Sequence, residues 1–123
     1  MGESRNRVLG SRMVDIKARE LSDAVLDSKE YKEYLYYLRE IKKEPELYAR
    51  VCDYRRRNFE LQNMDSNDNM FDEVMRFQME NGDIRRNSLA DKFFRAELSV
   101  CRMLQDINRS LVDVVELDID FLG

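Results

Sequence analysis

From Leu89 to Val114 this chain repeats one spacing for seven steps: Leu89, Phe93, Ala96, Val100, Met103, Ile107, Ser110 and Val114 follow at alternating intervals of four and three. Residues so spaced share one side of an α-helix, and seven of these eight are apolar. A second row, Ala90, Phe94, Glu97, Cys101, Leu104, Asn108, Leu111 and Val115, runs beside the first. The helix is expected to start near Asn87 or Ser88 and to be ~40 Å long, at about 1.5 Å per residue. Two adjoining rows mean that it meets neighbours on two sides. In a chain of 123 residues, with one proline and four glycines to make turns, everything else must fold along this rod. The expected class is all-α.

Four shorter helices are expected before it. Val14, Ala18, Leu21 and Val25 recur at helical steps, and the polar residues 1–12 ahead of them read as a flexible arm. Ser28 is placed to cap a second helix, with Glu30 in its first turn, where the helix dipole favours an anion. Pro45 suits a first helical position, so one helix ends near Glu44 and the next begins at Glu46. On that third helix Leu47, Val51, Tyr54, Asn58 and Leu61 form a row with one polar member. The run 65–69 is the strongest loop signal in the chain. Asn69 could then cap a short helix burying Met70, Val74 and Phe77, flanked by Phe71, Met75 and Met79, with Asn81-Gly82 as a left-handed terminator. The whole reads as one domain over 13–123, an antiparallel bundle of about five helices. Its end, Glu116-Leu117-Asp118-Ile119-Asp120-Phe121-Leu122, alternates acid and apolar. That ending is either an extended tail able to dock on an apolar groove or a frayed helix end.

The residue inventory excludes much chemistry. The chain has no histidine, which removes the commonest general base and metal ligand. Two cysteines are too few for a disulfide framework or a structural zinc site, and both Cys52 and Cys101 sit on apolar rows where core packing is expected. The glycines form no phosphate-binding loop. Carboxylates such as Asp72, Glu73, Glu97 and Asp106 fall at helical spacings, but as solvated or capping groups rather than as a metal box. The expectation is no enzyme, no metal and no cofactor. A net charge of −4 argues against non-specific coating of nucleic acid. There is no signal-peptide core and no apolar run long enough for a membrane span, so a cytoplasmic chain without membrane insertion is expected.

Three groups remain as candidate sites. Tyr31, Tyr34, Tyr36, Tyr37, Tyr48 and Tyr54 crowd two consecutive helices, and tyrosine suits surfaces buried at one end and wet at the other. Together with Asn58, a polar residue able to fix register in a seam, they are candidate interface residues. Arg50, Arg55, Arg56 and Arg57 form the one basic run and could contact RNA or DNA, although consecutive helical residues point in different directions. Glu97, inside a mostly apolar row, either turns inward onto an arginine or marks the edge where the helix faces water.

Several landmarks recur in a known order. They are Ser28-Lys29-Glu30-Tyr31 followed by Tyr34, the break Glu44-Pro45-Glu46, Glu60-Leu61-Gln62 before the polar loop, and Ala96-Glu97 on the last helix. In this order and spacing, over about residues 14–115, the chain resembles the YlbF/YmcA family of small helical bacterial regulators. The resemblance implies an all-helical fold, homodimers or hetero-oligomers with related helical proteins, and regulation without enzymatic activity. It further implies a link to competence, sporulation and biofilm control, with some members forming a complex that steers a membrane-anchored ribonuclease toward particular transcripts. Those members carry several cysteines tied to iron–sulfur binding. Only Cys52 and Cys101 are present here, so no cluster is carried over. The function expected is that of a protein-binding adaptor, with direct nucleic-acid binding through the third helix as the alternative.

Overall fold

The computed structural model of the chain describes residues 9–64, 69–118 and 120–122. Among these the protein is all-helical: α1 (Leu9–Leu26), α2 (Lys29–Lys42), α3 (Pro45–Gln62), α4 (Met70–Glu80), α5 (Gly82–Arg86) and α6 (Ser88–Asp113). A single 3-10 turn, Asp120–Leu122, follows. The expected N-terminal arm falls partly within α1, which is helical from Leu9; residues 1–8 lie outside the described set.

Local chemistry sets most boundaries. Ser28 is extended (φ −70°, ψ 152°), and its hydroxyl oxygen accepts from the Tyr31 N–H at 3.1 Å, starting α2. Pro45 opens α3 after Glu44. Asn87 starts α6 in the same manner as Ser28, its side-chain oxygen accepting from the Ala90 N–H at 2.9 Å. Asn69 is not such a cap, because its backbone is already right-handed helical (φ −90°, ψ −11°).

The sixth helix corrects the expected five. Asn81 has φ −115° and ψ 20°, not the left-handed geometry of a glycine terminator. Its side-chain amide instead donates to the Phe77 carbonyl at 2.9 Å, and the chain turns directly into α5. That short helix forms because Ile84 at its centre is buried in the core.

The core is small. Ile41 from α2, Val51 from α3, Ile84 from α5, and Ala90 and Phe93 from α6 form its centre. Rings extend it outward: Tyr34 lies 5.7 Å from Phe93, and Tyr54 lies 4.7 Å from Phe77 and 5.0 Å from Phe94. Tyr54 therefore ties α3 to both α4 and α6. Along α6 the last buried residue is Ala96, and α1 has none among its described side chains. The structure is thus a head, built from α2 to α5 and the first third of α6, plus two helical arms. Cys101 shows the consequence. Expected in the core, it is exposed, because its row continues after the helices that cover it have ended.

Candidate protein-interaction site

The arginine run of α3 is fully engaged with carboxylates. Arg50 hydrogen-bonds Asp83 of α5, with one N–O distance of 2.9 Å. These bonds hold the Asp83 carboxyl well below the usual range, at about 2. Arg56 pairs with Asp53 one turn earlier at 2.6 Å, and Arg57 bridges Glu60 and Glu73. Arg55 reaches across to α6 and meets Glu97 at 2.6 Å, while its guanidinium stands 5.2 Å from the Phe93 ring centre. Glu97 therefore turns inward onto an arginine rather than marking a wet edge. Burial works against the Arg55 charge, but Glu97 holds it ionised above its ordinary range. The four arginines take five separate carboxylates between them, so each is neutralised where it stands.

The tyrosines are used mainly at home. Tyr34, Tyr37, Tyr48 and Tyr54 pack against the chain's own core, and Tyr31 stacks beside Tyr34 at 6.2 Å. Of the six, Tyr36 alone has an exposed side chain, its ring set edge-on to Tyr37 at 5.1 Å. Asn58 lines a notch between α3 and α4, close to Leu61, Met70 and Val74. A single copy finds places for most of this aromatic surface.

It does not find places for its aliphatic surface. On α1, Met13, Val14, Ile16, Leu21 and Leu26 are exposed, Val14 at 66%. On the outer part of α6, Leu98, Leu104, Leu111 and Val112 are exposed, Leu111 at 57%. The row Val100, Met103 and Ile107 is only half-covered. A compact protein of 14.8 kDa shows water about 7,000 Å². This chain shows 10,347 Å², about half again as much. Among the described residues the two arms are amphipathic helices whose apolar sides are left largely bare.

The sequence rows for α1 and α6 mark these positions as apolar faces, but not that a single copy leaves them bare. Met13 and Ile16 lie outside the α1 row and widen its exposed face. Asp83 carried no signal at all, since nothing in spacing links it to Arg50. Among the described residues no three side chains of the metal-binding types converge, and no helix is long and apolar enough to cross a membrane.

Comparison with known proteins adds the decisive observation. The family model described as control of competence regulator ComK, YlbF/YmcA, matches residues 14–116. The chain belongs to the YlbF/YmcA family. No curated protein and no solved structure matches it. The YlbF/YmcA match spans both bare arms as well as the head, so the arms are part of the family's unit. The match accords with the landmarks in the sequence and gives the chain a regulatory family rather than an enzymatic one.

Proposed function

We propose that this YlbF/YmcA-family chain is a non-enzymatic regulatory adaptor that works as a homodimer, or as a hetero-oligomer with related helical chains. Its arms pair with those of a second copy in an antiparallel bundle. One observation carries this reading: α1 and the outer part of α6 expose apolar rows at helical spacing. Covering one large aliphatic side chain is worth about 1.5–3 kcal/mol, so the five exposed on α1 and the four on the outer part of α6 outweigh the usual cost of association. Stable obligate interfaces bury about 2,000–5,000 Å² summed over both partners, and the bare faces of both arms of each copy would contribute to it. The paired particle would act in the cytoplasm of a bacterium, on competence or development, as the family description suggests. In that role it would present an RNA-processing ribonuclease, or another protein of the same machinery, with a composite helical surface.

The residue inventory supports adaptor over enzyme. There is no histidine, and the titratable groups with displaced pKa values lie in ion pairs or at a Tyr48–Cys52 contact rather than around a cavity. The test replaces the native copy in the source bacterium by a Leu104→Ser/Leu111→Ser variant. Loss of competence or developmental control equal to deletion is expected, while the purified variant keeps its helix content and the melting of its head. Full regulation by a variant that has become a single-chain particle would contradict the proposal.

A further inference from the structure

The segment that follows α6 is built like a ligand. It carries Leu117, Phe121 and Leu122, each at least 71% exposed, separated by Glu116, Asp118 and Asp120. Asp118 accepts from the Asp120 N–H at 3.0 Å and starts the 3-10 turn that presents Phe121 and Leu122. Nothing on its own head covers these side chains.

The α3–α4 edge of the head has the opposite character. The notch there is lined by Leu61, Met70, Val74 and Phe77, with Asn58 on its wall and Arg85 at one end. Among the described residues its lining holds one cation and no acid. Arg85 forms no ion pair among the described residues, whereas every arginine of α3 does. Phe71 and Met75 follow Val74 around α4 at about 100° per residue, and they extend the apolar surface outward from the notch. Phe71 is 72% exposed. On the other side of α4 the groove is closed to such a guest, because Arg57 and Arg76 are held there by Glu73.

We infer that the acidic-apolar C-terminal segment of one copy docks in trans on this α3–α4 edge of a second copy. The inference rests on the arm pairing proposed above. Tyr54 meets Phe94 and Arg55 meets Glu97, just past the last buried residue of α6. The second half of α3 therefore lies beside the point where α6 leaves the head. Antiparallel arms bring the end of the partner's α6 to that same level. From there a few extended residues, at about 3.3 Å each, carry Leu117 and Phe121 along the edge toward Arg85. Apolar side chains fill the notch, and the acids face the Arg85 guanidinium.

The experiment places a photoreactive phenylalanine analogue at Phe121 of the full chain, mixes isotopically heavy and light protein, and maps the cross-links by mass spectrometry. Cross-links from heavy to light copies that land on the α3–α4 edge are expected. Their yield should fall about tenfold in Phe71→Ser/Met75→Ser and in Arg85→Glu, which alter exposed positions and leave the core intact. Cross-links confined to one copy, cross-links elsewhere, none at all, or a yield unmoved by these substitutions each overturn the inference. Light scattering on the same samples separates the two failures. A two-chain particle without these cross-links refutes tail docking alone, and a one-chain particle refutes the pairing beneath it.

Discussion

Phe93 is the residue on which the head turns. It is fully buried, touches the rings of Tyr34 and Phe94, and has the Arg55 guanidinium over its face. Phe93→Ala should cost about 3–5 kcal/mol, measured by urea unfolding, because the surrounding rings cannot collapse into the space. The Arg55–Glu97 pair beside it is about one-third exposed, so Glu97→Ala should cost only about 1 kcal/mol. Adding Arg55→Met to that variant should cost less than the two changes summed. Asp83 gives the residue-scale pH dependence. Its folded-state carboxyl sits at about 2, below an unfolded value of about 3.9, so its contribution to stability is complete above the latter. It is lost as pH falls through the former. Arg50→Ala should return Asp83 to an ordinary carboxylate titration, read by NMR of the side-chain carboxyl. Sequence spacing put Phe93 and Glu97 on α6 and showed that Glu97 sat in an apolar row. It could not name Arg55 or Asp83 as partners, since contacts between separate helices depend on register that packing alone sets.

At the scale of the element, the starts of α2 and α6 are readable in the sequence, whereas the cap expected at Asn69 does not form. Ser28 and Asn87 both act as their positions in the sequence suggest, and Ser28→Ala should cost about 1 kcal/mol through fraying of the α2 start. Where local signals competed with burial, burial decided. Asn81-Gly82 has the composition of a helix terminator, yet the chain enters α5 because Ile84 is drawn into the core. The arms show a different limit. The apolar rows on α1 and α6 identify the face that wants cover without saying which molecule supplies it, and the same pattern serves core and interface alike. For that reason Cys101 reads as a core residue and yet is exposed, while four of the six tyrosines pack against the chain's own core. Val14→Ser with Leu21→Ser should leave the melting of the head unchanged while weakening association, since neither residue is buried in one copy. Sedimentation velocity across a dilution series reads that shift.

At the scale of the whole molecule, two quantities support the proposed pairing. Among the described residues the core is eight buried apolar residues, and the solvent-exposed surface of the chain is about half again that of a compact protein of this mass. A lone chain would carry two amphipathic rods in water, a surface that soluble monomers avoid. Membership in the YlbF/YmcA family accords with a helical regulator, and in the proposed reading the bare arms are where it assembles. Light scattering of the purified full chain at high concentration, coupled to gel filtration, measures the point directly. The account predicts a particle of at least twice the 14.8 kDa chain mass that falls toward one chain in Leu104→Ser/Leu111→Ser. A native particle of one chain mass, with its arms still helical by circular dichroism, would contradict it.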